Sequence, residues 1–174
     1  MPVKTDLISQ YEQLHKEGKF AGLSVLEHAE RIGSLIRETD SRSVLDYGCG
    51  KGHQYSLYGI NNDWNIESLR LYDPAVPGFT NKPEPADGVI CCDVMEHVPE
   101  PEVPAVIVKV LKLAKKFAYF VICTRPSKKT LPDGRNCHLT IQPQEWWDNA
   151  IERERKRLGS GARIVIVTEY RNDR

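Results

Sequence analysis

The sequence contains no long apolar run and no apolar leader at its amino terminus. No stretch approaches the roughly 18 consecutive apolar residues of a membrane-spanning helix. Residues 1–6 are mostly polar. These absences argue against a membrane span and against a secretory signal. We therefore expect a soluble, cytoplasmic protein with no membrane partner.

Cys-x-x-Cys spacing is also absent, and the number of cysteines is odd. The five cysteines lie mostly in apolar segments: Cys49, Cys91, Cys92, Cys123 and Cys137. A disulfide framework or a zinc site normally shows paired or closely spaced cysteines. The pattern predicts reduced, structural thiols.

The chain carries no net charge, although its two halves differ. Residues 1–102 hold 9 basic and 17 acidic side chains, whereas residues 103–174 hold 15 and 7. Two interpretations stay open for the second half, a basic binding face or the solvated side of a helix. With 174 residues, of which 40% are hydrophobic, the chain is long enough for one core and too short for two ordinary domains. We expect a single domain over 1–174.

The most informative stretch is a short apolar run followed by an acid and alternating glycines. Val44 and Leu45 predict a buried strand, and the sequence from Asp46 to Gly52 reads D-Y-G-C-G-K-G. Glycines at such a turn allow the backbone to approach a ligand closely. A second apolar segment ends in Asp73, 21 residues after Gly52, about where a second strand presents a carboxylate to a ribose diol. The turn therefore predicts a nucleotide-like cofactor.

These motifs, together with Cys92–Val98 (C-D-V-M-E-H-V), resemble those of the class I S-adenosylmethionine-dependent methyltransferases over about residues 24–170. The resemblance implies an α/β fold with a Rossmann-like, open, mostly parallel sheet and helices on both faces. It implies S-adenosylmethionine as cofactor, held by Asp46, Tyr47, Gly48, Cys49, Gly50, Gly52, Asp73, Pro74 and Asp93.

The sequence departs from the family pattern after Asp73. Four prolines between residues 74 and 87 leave no room for the usual helix and third strand. We expect a sheet shortened at that edge, with the adenine held by Pro74, Ala75 and Phe79. One of the two usual C-terminal strands is also expected to be missing, since only 162–170 reads as a strand.

Acid-base residues are expected after the apolar strand Gly88–Cys92. If Asp93 begins a helical turn, Asp93, Glu96 and His97 share one face. In the family the residues after this strand lie near the sulfonium and the incoming nucleophile, so the resemblance implies Asp93 and His97 as the candidate catalytic residues. The same cluster with His138 could ligate a metal, in the manner of the RNA 3′-end methyltransferases. Because E-H-V also occurs in metal-free methyltransferases, we predict no metal.

A basic loop, 124–138, follows the predicted strand Phe117–Cys123. It predicts binding of an anionic group of a small-molecule substrate by Lys128, Lys129, Arg135 and His138. The alternative is an ordinary solvated loop.

The remaining patterns predict helices and a lid. Helices are predicted at 6–16, at 24–39 behind a Ser24/Glu27 capping box, at 51–65, at 102–115 and at 143–158. The amides that begin the third of these would suit the methionine carboxylate. Residues 1–42 are expected to form N-terminal helices or a lid over a cofactor-binding core at 43–174. Tyr11 and Phe20 are candidate lid residues, with ordinary packing as the alternative.

Nucleic-acid substrates are not favoured. The chain lacks the N/D-P-P-Y/F motif of amino-methylating DNA enzymes and the Pro-Cys nucleophile of cytosine C5 enzymes. The leading hypothesis is methyl transfer to an O or N atom of a small acceptor. The alternatives are a non-catalytic cofactor-binding or partner-binding module, or another enzyme using the same donor. A nicotinamide oxidoreductase is disfavoured because His53 stands where G-x-G-x-x-G requires glycine. The oligomeric state stays open.

Overall fold

The computed structural model describes residues 6–159 and 164–171. The α-helices are α1 (Leu7–Lys16), α2 (Ala29–Glu38), α3 (His53–Ser56), α4 (Val103–Leu113) and α5 (Gln144–Arg157). The strands are β1 (Ser43–Tyr47), β2 (Ser68–Tyr72), β3 (Ala86–Cys92), β4 (Ala114–Cys123) and β5 (Val165–Arg171). Short 3₁₀ turns occupy Leu26–His28, Met95–His97 and Glu100–Glu102.

The five strands form one sheet in the order β2-β1-β3-β4-β5, and every neighbouring pair is parallel. The predicted α/β, Rossmann-like class is therefore confirmed. Parallel strands need crossover connections, and these contain α3 between β1 and β2, α4 between β3 and β4, and α5 between β4 and β5.

Helices cover both faces of the sheet, and the interior strand β4 shows why. Alternate β4 side chains face opposite ways: Ala118, Phe120 and Ile122 join a core with α4 and α5, whereas Phe117, Tyr119 and Val121 join a core with α2. All six are buried. A continuous apolar run is what a strand buried on both faces requires.

The shortened edge predicted after Asp73 is present. In the described part of the chain, no strand or helix lies between β2 and β3, and β3 pairs directly with β1. At the opposite edge the sheet ends at β5. Part of the predicted terminal strand, residues 162 and 163, lies outside the described residues.

Two local predictions were wrong. Neither Leu26–His28 nor α2 begins with a side-chain cap hydrogen bond, and the Glu27 carboxylate pairs with Arg171 instead. The predicted helix over 51–65 is the single turn α3. A helix this short does not supply the anion-binding terminus expected for the methionine carboxylate.

The five cysteines are free and buried, as expected for structural thiols. Within 6–159 and 164–171, no helix is long and apolar enough to cross a membrane.

Candidate functional site

A cavity of about 550 Å³ opens at the carboxyl ends of β1, β2 and β3. Residues that end each strand line it, including Tyr47, Tyr72 and Cys92. The N-terminal segment from α1 to Ser24 covers its outer side. This is the edge at which open parallel sheets bind ligands, and the volume lies within the usual range of small-molecule sites.

The glycine turn forms one wall and is joined to the end of β2. The amides of Gly48 and Cys49 donate to the Tyr72 carbonyl at 2.7 and 3.1 Å. Gly48 has a φ of +87°, and a Cβ there would lie 2.2 Å from Cγ2 of Val94. Both the backbone conformation and the space therefore require glycine at this position.

Gly50 connects the turn to Asp73. Its amide donates to Oδ2 of Asp73 at 2.9 Å, while Oδ1 of Asp73 accepts from the Ala75 amide at 2.8 Å. Asp73 is buried and lines the cavity. Each carboxylate oxygen can accept a further hydrogen bond. Asp73 is thus held rigidly and retains acceptor capacity for hydroxyl groups.

Asp46 does not line the cavity, although the sequence placed it in the cofactor site. Its buried carboxylate accepts from Nε2 of Gln54 at 3.0 Å and from the Tyr55 hydroxyl at 2.7 Å. Burial raises the pKa of Asp46 to about 7. These contacts hold α3 against the end of β1. Asp46 supports the wall from behind, and direct cofactor contact is not supported by the geometry.

Gly52 and Phe79 also lie outside the lining. A Cβ on Gly52 would meet Leu71 at 3.0 Å and the Phe79 ring at 3.8 Å, so the two residues pack on each other. The Phe79 carbonyl accepts from the Asp73 amide at 3.0 Å. Phe79 therefore shapes the turn after β2, while Pro74 and Ala75 line the cavity beside it.

Asp93 lines the cavity in the strained left-handed conformation, with a φ of +54°. Its Oδ1 lies 3.1 Å from Nε of Arg171, whose side chain is only 7% exposed. The same guanidinium also bonds Glu27 and the Ser24 carbonyl. An ion-paired carboxylate is a poor proton acceptor, so this geometry does not support Asp93 as the base.

Arg171 was missed by sequence reasoning. The only signal was a single cation at the end of the apolar segment 164–171. Charged side chains at the carboxyl ends of parallel strands face the ligand edge, and that rule could have identified it.

His97 faces the cavity from the Met95–His97 turn. Its ring lies edge-on to Tyr11 and Phe20, with centroid distances of 5.4 and 5.8 Å. Nδ1 lies 2.9 Å from the Cys137 carbonyl, so Nδ1 carries the proton and Nε2 offers a lone pair. Burial, followed by the neighbouring His138, lowers the pKa of His97 to about 3. The imidazole is therefore neutral at physiological pH.

The predicted shared face of Asp93, Glu96 and His97 is wrong. Asp93 precedes the 3₁₀ turn in a left-handed conformation, and Glu96 turns into the core. There Oε1 of Glu96 accepts from the Cys123 amide at 3.1 Å. The structure instead brings Glu96 and His97 together with His138, with one potential ligand atom of each within 4.8 Å of the others.

The four residues of the basic loop have different surroundings. Lys129 lines the cavity, with Nζ 4.8 Å from the Phe20 ring centroid. His138 lies behind the wall, 4.9 Å from the His97 ring. Lys128 and Arg135 do not line the cavity. Arg135 bonds Asp133 at 2.7 Å, so its predicted role in binding substrate is not supported.

Tyr11 and Gln10 attach the N-terminal segment to the basic loop and to the Met95–His97 turn. The Tyr11 hydroxyl donates to the carbonyls of Cys137 at 2.8 Å and His97 at 3.2 Å. Gln10 donates to Asp133 at 3.0 Å. Tyr11 and Phe20 both line the cavity, where lid residues would lie.

Comparison with known proteins identifies the family. A family model described as "Methyltransferase domain" matches residues 13–160, which is well over half of the chain. No curated protein matches the chain significantly. No solved structure does so either. With its parallel sheet and a glycine turn beside Asp73, the chain belongs to the methyltransferase-domain family, the class I methyltransferases that use S-adenosylmethionine.

Proposed function

We propose that this protein transfers a methyl group from S-adenosylmethionine to an O or N atom of a small acceptor. The observation that carries the proposal is that the glycine turn, Asp73 and His97 line one cavity. Donor-binding groups and a proton acceptor would then meet in a single space. Methyl transfer needs mainly alignment and exclusion of water, which such a covered cavity provides.

The residues present fit the cofactor. The cradle at Gly48 leaves no space for a side chain, so the backbone itself forms the wall. Asp73 has acceptor capacity for the ribose hydroxyls, and Pro74 and Ala75 offer an apolar surface for the adenine. When bound, S-adenosylmethionine supplies an electrophilic methyl group on a sulfonium.

On the acceptor side, the chain offers one base and one cation at the cavity. Nε2 of His97 holds a lone pair and receives the proton of an acceptor hydroxyl. Because its pKa is about 3, it is a weak base and takes the proton only as the acceptor becomes acidic. The ammonium group of Lys129 binds an anionic part of the acceptor.

We also propose the class of the acceptor, the location of the protein and the role of its N-terminal segment. A small molecule, rather than a nucleic acid, is the acceptor, and the protein acts in the cytoplasm. Residues 1–42 act as N-terminal helices and lid over a core at 43–174 in one domain.

Calorimetric titration with S-adenosylmethionine and S-adenosylhomocysteine tests the donor site. We expect micromolar binding of both ligands, weakened at least tenfold by Asp73→Ala. Asp63→Ala is the matched control because Asp63 is exposed and outside the cavity. Absence of binding, or equal binding by Asp73→Ala, would overturn the proposal.

A panel of hydroxyl and amine acceptors, with and without anionic groups, then tests turnover. Methylation that falls in Lys129→Met only for the anionic acceptors would support the role of Lys129. Cofactor binding without turnover on any acceptor would favour a non-catalytic binding module, which the ion pairing of Asp93 with Arg171 makes the second candidate.

A further inference from the structure

Three side chains with potential metal-ligand atoms meet beside the cavity. They come from two segments that lie far apart in the sequence. Glu96 and His97 belong to the turn after β3, and His138 lies in the loop after β4. One oxygen or nitrogen of each lies within 4.8 Å of the other two. The two rings are perpendicular, with centroids 4.9 Å apart.

Both imidazoles are oriented by backbone carbonyls. Nδ1 of His97 lies 2.9 Å from the Cys137 carbonyl, and Nδ1 of His138 lies 2.5 Å from the Arg125 carbonyl. A carbonyl only accepts, so each Nδ1 carries the proton and each Nε2 presents a lone pair. Metal-ligating histidines are held in this way, with one ring nitrogen donating to a carbonyl and the other binding the metal.

Glu96 joins the two segments. Its carbonyl accepts from the amides of Leu139 at 2.8 Å and Thr140 at 3.0 Å, which places the loop of His138 against the turn of His97. Its side chain is fully buried, and Oε1 accepts from the Cys123 amide. The carboxylate is thus fixed in position beside the two imidazoles.

We propose that Glu96, His97 and His138 bind one divalent transition-metal cation of the Zn²⁺, Co²⁺ or Mn²⁺ class. Two imidazoles and one carboxylate suit these borderline cations, whereas Mg²⁺ and Ca²⁺ prefer sites made of oxygen alone. Neighbouring ligands of a tetrahedral zinc site lie about 3.3 Å apart. The ligand atoms, which lie within 4.8 Å of one another, therefore have to approach by up to about 1.5 Å when the cation binds.

The position of the site gives the cation access to the cavity. His97 lines the cavity, whereas Glu96 is buried and His138 lies behind the wall. Three protein ligands leave at least one coordination position for water or an acceptor oxygen, as in catalytic metal sites. The cation and the proton of an acceptor use the same lone pair on Nε2 of His97, so His97 acts as the base of the proposed function only in the chain without the cation. The Tyr11 hydroxyl shares the Cys137 carbonyl with His97, which links the N-terminal segment to the site.

Titration of the untagged full chain with Co²⁺, after removal of metals by a chelator, tests the proposal. We expect visible absorption bands that saturate at one Co²⁺ per chain and are displaced by Zn²⁺, while Mg²⁺ displaces nothing. His138→Ala should weaken Co²⁺ binding at least tenfold. His97→Gln should do the same. No methyl donor is present, so the result does not depend on the proposed methyl transfer.

His53→Ala is the matched control. Nδ1 of His53 also bonds a backbone carbonyl, that of Ala21 at 3.1 Å, but His53 is not part of the cluster. We expect unchanged Co²⁺ affinity in this variant. Thermal unfolding of each apo variant shows whether it is folded, and His138→Gln replaces His138→Ala if the latter is not. A folded wild-type chain that does not bind Co²⁺ up to about 1 mM, or equal affinity in wild type and His138 variants, overturns the proposal.

Discussion

The two walls of the cavity are built in different ways. The donor wall consists of groups at the ends of the paired strands β1 and β2, joined by the hydrogen bonds of Gly48 to Tyr72 and of Gly50 to Asp73. The acceptor wall consists of side chains from distant parts of the chain, among them Tyr11, His97 and Asp93, and Arg171 holds Asp93 from behind. The backbone pairing of two strands makes the first wall rigid. The second wall depends on each long-range contact.

We expect the greatest loss of stability from a substitution of Arg171, the buried cation behind the acceptor wall. Arg171→Met removes the partner of Asp93 and Glu27 and should lower the free energy of unfolding by about 3 kcal/mol, because a buried charge loses its partner. Urea denaturation measures this change in the free energy of unfolding. Arg31→Met is the control, since Arg31 pairs with Glu38 at the surface, and it should cost less than about 1 kcal/mol. Equal losses would show that Arg171 does not hold the acceptor wall.

The donor wall should be nearly as sensitive to one added methyl group. Gly48→Ala places a Cβ 2.2 Å from Val94 and puts alanine in a left-handed backbone conformation. We expect the free energy of unfolding to fall by about 2–3 kcal/mol and cofactor binding to be lost. Gly134→Ala is matched to it, because Gly134 has a φ of +90° but open space around it. In this control variant the free energy of unfolding should fall by about 1 kcal/mol, and cofactor binding should be unchanged. Calorimetry and thermal unfolding check both variants.

The buried Asp46 carboxyl behind the donor wall should make the free energy of unfolding depend on pH. Burial raises the pKa of Asp46 to about 7, above its unfolded value of 3.8. Between these values the folded state binds the proton more tightly, so this group lowers stability as pH rises towards 7. Because asparagine does not ionise, Asp46→Asn does not lose stability in this way. The stability of Asp46→Asn relative to wild type should therefore increase from pH 5 to pH 7 by on the order of 1.4 kcal/mol per unit and then level off.

Asp63→Asn provides the baseline for the pH series, because Asp63 is exposed. Its stability relative to wild type should not change over the same range. A constant difference for Asp46→Asn as well would mean that the Asp46 carboxyl titrates at its ordinary pKa.

The smallest expected effect is on the contact between the N-terminal segment and the acceptor wall. Tyr11→Phe removes the hydroxyl that bonds Cys137 and His97, at a cost of about 1 kcal/mol. Hydrogen exchange of the α1 amides should become faster. Tyr58→Phe, at an exposed tyrosine, should change neither quantity. Unchanged exchange in Tyr11→Phe would show that other contacts hold the segment.

Sequence reasoning succeeded where the cause is local. The alternation of strands and helices and the absence of a third strand among the prolines follow from backbone conformations of short segments. The position of Asp73 beside the glycine turn follows from the parallel pairing of the first two strands. Sequence reasoning failed for the Ser24/Glu27 capping box because Arg171, far along the chain, takes the Glu27 carboxylate. It also did not predict that Asp46 lies outside the cavity lining, since a carboxylate before a glycine turn can face either the ligand or the core.

Residue patterns along the chain were enough to predict the family and the parallel α/β fold, because the glycine turn and the periodicities of strands and helices are each read within a short segment. The pairing of Arg171 with Asp93 and the approach of Glu96 and His97 to His138 were visible only in the folded chain, because they join segments tens of residues apart. The position of Asp46 also depended on packing, since α3 docks on the end of β1 and supplies its partners Gln54 and Tyr55.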